Sequence, residues 1–282
     1  MTLSLFDKIF NQFQYYFMDL LGYSLAIFIG LLLSLLGGGG SIMTVPVLVY
    51  IFKIEPPLAT AYSLLIVGST SAVASINYQL KGLASLRTAL FFSFPSFIMV
   101  FVTRKYLMPL IPNEIAHFGE FVLTKNGLIM LTFATLMLLA SRAMIRKRQV
   151  MDNISEAIKR LNYSLIFVEG LLVGTLTGFV GVGGGFLIIP VLTNFVKLPM
   201  KLAVGTSLII IAINSLIGFT GDLGKHTLNW TFLGTFIGLA LVGVIIGTTL
   251  SKRLDNQQLK PAFGWFTLMM GTWILIKELI LK

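Results

Sequence analysis

Residues 33–54, "LSLLGGGGSIMTVPVLVYIFKI", and residues 177–198, "TGFVGVGGGFLIIPVLTNFVKL", are near-echoes of one another. Each sets a glycine cluster inside an apolar run, then a proline, a second apolar run and a lysine. A helical glycine costs about 1 kcal/mol relative to alanine, so a cluster of them marks a place where the chain stops being an ordinary helix. Whatever the fold is, it contains that break twice.

Composition identifies the solvent around it. Of 282 residues, 56% are apolar and only 11% charged, and the mean hydropathy is +0.90. Soluble domains carry about 25% charged residues, and the apolar runs here approach the roughly 20 residues that span a bilayer. The chain reads as an all-α polytopic membrane protein whose surroundings are the lipid bilayer. No polar segment is long enough for a large soluble domain. The absence of cysteine excludes disulfides, thiolate metal sites and cysteine nucleophiles. The net charge of +10 does not point to nucleic acid, because most basic residues sit between apolar segments, where they set topology.

Apolar runs fall at 20–36, 42–52, 58–79, 88–103 and 127–145, then at 161–180, 186–196, 202–221, 231–250 and 263–280. The order repeats: a pair around a glycine break, then three longer helices. A shift of 144 positions lays Gly30, Gly37, Gly39, Gly40, Pro46, Lys53 and Ser63 on Gly174, Gly181, Gly183, Gly184, Pro190, Lys197 and Ser207 without a gap. It also carries Lys81 onto Lys225. Matching glycines, prolines and lysines do not follow from composition. The chain therefore reads as an internal duplication, with a first transmembrane repeat at 20–145 and a second at 161–282.

The linker, 146–160, is basic. Between Ser141 and Leu161, Arg142, Arg146, Lys147, Arg148, Lys159 and Arg160 face only Asp152 and Glu156, the pattern of a cytoplasmic loop of the cell membrane. Residues 1–19 place Phe6, Ile9, Phe10, Phe13 and Phe17 at helical spacing among polar residues. That pattern predicts an amphipathic helix in the membrane interface and not a cleavable signal.

Length decides how the halves are related. Residues 20–52 as one helix would reach about 50 Å, against a hydrocarbon core of about 30 Å. The glycine tetrad near the middle predicts that the chain turns there, making a helical hairpin whose ends lie on one side. Three further spans give each half an odd number of crossings, so the second repeat is expected to be inverted. Charge counting does not discriminate: thirteen of 21 basic residues fall inside in this arrangement, twelve in a four-plus-four one.

The tips point to a chemistry. Non-helical backbone at membrane depth is tolerated only where protein or a water-filled cavity covers it. Helices starting after Gly40 and Gly184 would each bring an N-terminus, with unpaired N–H groups, toward the midplane, and helix N-termini bind anions. In many secondary transporters substrate sits between inverted repeats at such broken helices. The candidate substrate-binding residues are Gly37, Gly38, Gly39, Gly40, Ser41 and Ser63 in the first half. In the second they are Gly181, Gly183, Gly184, Gly185, Thr206, Ser207 and Asn214. Pro46 and Pro190 are expected to bend the half-helices. Gly30/Ser34 and Gly170/Gly174/Gly178 suit close helix packing. Lys81 and Lys225 fit an anion attractor at either mouth or plain snorkelling residues.

Neither cluster is followed by Lys-Ser/Thr or completes G-x-G-x-x-G, so a nucleotide loop is excluded. His117 and His226 are isolated, so no metal or cofactor is expected, and no nucleophile–base set suggests an enzyme.

The second-half signature, Gly178, Gly181, Gly183, Gly184, Gly185 and Pro190 followed by Gly205-Thr206-Ser207, resembles the TauE/SafE family of sulfite and organosulfur anion transporters. "KHTLNW" at 225–230 is similar to that family's polar-to-tryptophan turn. The first half departs from the pattern, with Gly38 and Ser41 in the places of Val182 and Gly185. The resemblance covers about residues 23–281. It implies a secondary transporter of a small sulfur-containing anion such as sulfite or sulfoacetate. An anion channel and a non-transporting membrane assembly partner are the competing readings, and the oligomeric state is not encoded legibly.

Overall fold

A computed structural model describes residues 20–118, 121–145, 163–194, 196, 198–225, 227–251 and 256–280. The expected interfacial helix at 1–19 and the linker at 146–160 lie outside the described residues. Ten helical segments follow in order. They are α1 (20–36), α2 (37–51), α3 (Pro56–Leu80), α4 (Leu86–Val102), α5 (Lys125–Ile145), α6 (Tyr163–Val180), α7 (Gly185–Asn194), α8 (Met200–Thr220), α9 (Trp230–Leu250) and α10 (Asn256–Ile280). Among the described residues, six helical stretches are long and apolar enough to cross a membrane. At 1.5 Å per residue α3 is about 37 Å long, enough to span with some tilt.

Helix starts follow local chemistry. Extended Glu55 precedes α3, with proline at its first positions, where a missing N–H costs nothing. Ser85 caps α4 by accepting from the Thr88 N–H, and Asn229 caps α9 by accepting from the Phe232 N–H. Each satisfies one of the donors a helix N-terminus leaves unpaired.

The stretch Leu20–Ile51 is helical throughout yet is not one rod. At Gly37 the backbone swings to φ +63°, and Gly40 then packs on the backbone of Leu33. The Tyr23 and Phe52 rings end 5.5 Å apart, so α1 and α2 leave from the same end of the bundle. The expected half-helix at 42–52 needs correction. The chain runs as a 3-10 helix over Gly37–Met43, one α turn at Thr44–Pro46 and a π-helix over Val47–Ile51. Glycine's conformational freedom and the N–H that Pro46 lacks both weaken the α ladder here.

Two other expectations at the bundle's edge are extended. The segment expected to end at Thr103 continues through a π-turn, Thr103–Leu107, to Leu110. The loop beyond carries a small antiparallel hairpin, β1 (Glu114–Phe118) with β2 (Phe121–Thr124).

Close helix crossings fix directions. Gly68 meets Leu216 while Gly218 meets Leu64, so α3 and α8 run antiparallel through the centre. Gly264 against Met144 and Gly271 against Met137 make α5 and α10 antiparallel too. Gly170 on Pro95, Gly174 on Ser96 and Gly178 on Thr103 make α4 and α6 parallel. The first hairpin buries Leu35, Leu36, Ile42 and Leu48 with Phe133 and Phe236, and the second buries Ile188, Ile189 and Leu192 with Phe92 and Leu208.

Lys53 closes α2 in the left-handed region, φ +56°, while the Ile54 N–H donates to the Leu48 carbonyl six residues back at 3.0 Å, capping the π-turn. A side chain there costs roughly 1–2 kcal/mol that glycine avoids, and glycine's own entropy returns about half. Lys53→Gly is therefore expected to stabilise by about 0.5–1 kcal/mol. Thermal unfolding in detergent checks this, and a lowered midpoint would count against the cap.

Candidate functional site

The two glycine tips meet inside the bundle. Gly38 and Gly185 are both fully packed; a Cβ on Gly38 would lie 1.9 Å from the Gly185 Cα, and one on Gly185 2.1 Å from the Gly38 Cα. Only two residues without side chains allow this backbone-on-backbone approach. Gly37 faces Val204 and the Ser207 hydroxyl on α8; Gly181, at φ +72°, faces Thr60 on α3. Gly183 lies against Ser215, Ile211 and Val67, and Gly184 against Thr177. Gly39 is buried in the 3-10 turn, where Ser41 donates to the Gly38 carbonyl at 2.7 Å. Pro46 and Pro190 sit one helical turn or more beyond the tips, Pro46 just before the π-turn and Pro190 within α7.

The remaining sequence candidates divide by their partners. Thr206 is engaged structurally, accepting from the Ser85 N–H at 2.9 Å. Ser207 donates back to the Val204 carbonyl at 2.8 Å. Asn214 uses its amide N–H on Ser96 at 2.7 Å and leaves Oδ1 without a partner. The Ser63, Ser71 and Ser215 hydroxyls are buried and likewise have no partner among the described residues. Of these, the Ser215 hydroxyl lies at the second tip, against Gly183, and each such atom costs about 1–3 kcal/mol if left unmet. Glu169, on α6, is also buried, and neither carboxylate oxygen has a partner among the described residues.

Sequence reasoning missed a buried ion pair. Arg104 is 1% exposed, one of the largest fully buried side chains. Its Nη1 donates to Thr60 Oγ1 and to Asp222 Oδ2, both at 3.0 Å, and Asp222 is itself 5% exposed. Lys225 donates to the Arg104 carbonyl and stands 3.5 Å from Asp222 Oδ1. Partial burial lowers the Lys225 pKa from the ordinary lysine range, opposed by Asp222. Nε and Nη2 of Arg104 have no partner among the described residues. The guanidinium reaches the second tip directly, since a Cβ on Gly181 would lie 2.2 Å from Nη2. Arg104 stands at the end of an apolar run, where a topology-setting charge is expected. The π-turn over Thr103–Leu107 is what carries the helix on and leaves Arg104 inside. Lys81, by contrast, is exposed.

Membrane-length helices packed around two touching, glycine-lined chain reversals define a multi-pass membrane protein with a buried polar centre. Residues 23–274 match the family described as "Sulfite exporter TauE/SafE", and the chain belongs to that family of membrane transporters. It is similar to a probable membrane transporter protein of Xylella fastidiosa strain Temecula1, 30% identical over 253 residues that cover 88% of this chain and 91% of the relative. It is also similar to the probable membrane transporter protein YunE of Bacillus subtilis strain 168, 26% identical over 255 residues covering 84% and 90%.

Proposed function

We propose that the protein is a secondary transporter that carries a small sulfur-containing anion, such as sulfite or sulfoacetate, across the cell membrane by alternating access. Its two halves, 20–145 and 161–282, are inverted repeats joined by a cytoplasmic linker at 146–160, and the anion binds where their glycine tips meet near the midplane. The observation that carries this reading is the contact of Gly38 with Gly185, beside the buried Ser215 hydroxyl that lies against Gly183 and has no partner among the described residues. A fold that only needed to pack would fill that centre with apolar side chains. The family's description as a sulfite exporter supports the substrate class.

Inversion draws support from bonds that recur 144 positions apart with the halves exchanged. The Asn229 N–H donates to Tyr62 Oη at 2.8 Å, and the Ser85 N–H donates to Thr206 Oγ1 at 2.9 Å. Gly174 packs on Ser96 as Gly30 packs on Ala240. Equivalent helices α3 and α8 run antiparallel, as an axis lying in the membrane plane requires.

Reconstituted proteoliposomes test the function. Saturable uptake of sulfite, sulfoacetate or thiosulfate, competed by the unlabelled anion, is expected. Absence of anion-dependent flux across that panel defeats the proposal, and unsaturable, conductive flux favours a channel.

A further inference from the structure

The inference that follows rests on the reading that the second tip binds a small anion, and it names the group that holds it. We propose that Arg104 is the charge partner of a small oxyanion, gripping two of its oxygens through the Nε–Nη2 edge. Asp222 and Thr60 act as positioning residues on the opposite edge.

The guanidinium has two usable edges, and the structure divides them. Nη1 is committed, donating to Thr60 and Asp222. Nε and Nη2, whose N–H bonds run nearly parallel, are unpaired although Arg104 is 1% exposed. That fork matches two oxygens of one sulfur or carboxyl centre, giving a bidentate, charge-assisted pair. A halide offers only one acceptor and satisfies the fork poorly. The partners already present leave charge to neutralise as well, because Arg104 and Lys225 share a single carboxylate, Asp222. Gly181 lacks the Cβ that would collide with Nη2, so the guanidinium lies directly against the second tip.

The site is single. At the first tip, the positions 144 residues away from Arg104 and Asp222 are Thr248 and Tyr78. Thr248 donates to the Ile245 carbonyl and Tyr78 to the Ser34 carbonyl at 2.8 Å, so both are spent on backbone and neither carries charge. One anion charge per protein follows, held at the second tip, while the first tip supplies backbone and hydroxyl contacts.

The test uses the full chain purified in detergent, with sulfite, sulfate, thiosulfate and methanesulfonate as probes against chloride. Binding is read by calorimetry and by anion-dependent thermal stabilisation. Wild type is expected to bind at least one oxyanion about tenfold or more tighter than chloride. Arg104→Lys keeps the charge but loses the fork, and its oxyanion affinity is expected to fall about tenfold to a hundredfold. Asp222→Asn leaves the guanidinium under-neutralised, so it should melt lower without anion yet gain a larger anion-dependent rise than wild type. Arg104→Lys binding like wild type, or chloride matching every oxyanion, overturns the assignment of Arg104 and leaves the tip reading standing. Should Arg104→Lys not fold, an unchanged anion response in Asp222→Asn overturns it equally. No binding of any probe by wild type overturns both.

Discussion

Gly38→Ala is expected to leave little or no folded protein, whereas Gly234→Ala is expected to be tolerated or mildly stabilising. The two substitutions add the same methyl group to buried and open space. At Gly38 the new Cβ lies 1.9 Å from the Gly185 Cα and 2.1 Å from its carbonyl carbon. These are backbone atoms, so no rotamer change relieves the overlap, and the tips must part by more than an ångström. Ordinary overpacking costs about 1–3 kcal/mol, and backbone-on-backbone contact belongs at or beyond the upper end. Parting the tips also loosens both hairpins, because Gly37 and Gly183 are wedged against α8. At Gly234 nothing lies within 4 Å, so alanine only improves helix propensity, by roughly 0.5–1 kcal/mol. Yield of monodisperse protein and thermal unfolding in detergent measure the contrast. Equal melting of the two variants would show that the tips do not touch in the native protein.

The hairpin was legible because a physical limit forced it: 33 residues between Leu20 and Phe52 cannot cross a bilayer once as a helix. The tetrad then left one place for the reversal. Glycine stands at both Gly37 and Gly181, 144 positions apart, because both take positive φ, which few other residues can. What stayed hidden was everything set by rotation about a helix axis. Nothing local distinguishes Ser207, spent on the Val204 carbonyl, from Ser63, without a partner among the described residues at the position 144 residues earlier. Arg104 was hidden twice. It follows an apolar run, the usual place of a loop charge, and its partner Asp222 lies 118 positions away. No periodicity within one segment announces a pair of that separation. The sequence offered one signal: the positions 144 residues from Arg104 and Asp222 are the uncharged Thr248 and Tyr78, so under the proposed duplication an opposite-charge pair gained in one copy marks a candidate site.

Removing both members of that pair is expected to do less harm than removing either. Arg104→Met alone leaves Asp222, 5% exposed, with only the half-buried Lys225 to balance it, and Asp222→Leu alone strands Arg104, 1% exposed. A buried charge left without its partner costs about 3–5 kcal/mol. The double variant, Arg104→Met with Asp222→Leu, carries no orphaned charge and exchanges the desolvation of two ions for apolar contact, which is often neutral for stability. Thr60 still donates to the Pro57 carbonyl, and Lys225, 28% exposed, can turn its ammonium to water. The expected order of melting temperatures is wild type and double variant together, then the two single variants well below. A double variant as unstable as the singles combined would mean that the pair holds the fold by more than charge balance. The same protein separates architecture from recognition: if it folds like wild type, oxyanion binding at the second tip is expected to vanish with the guanidinium. A folded double variant that binds sulfite as wild type does would place the anion elsewhere in the bundle.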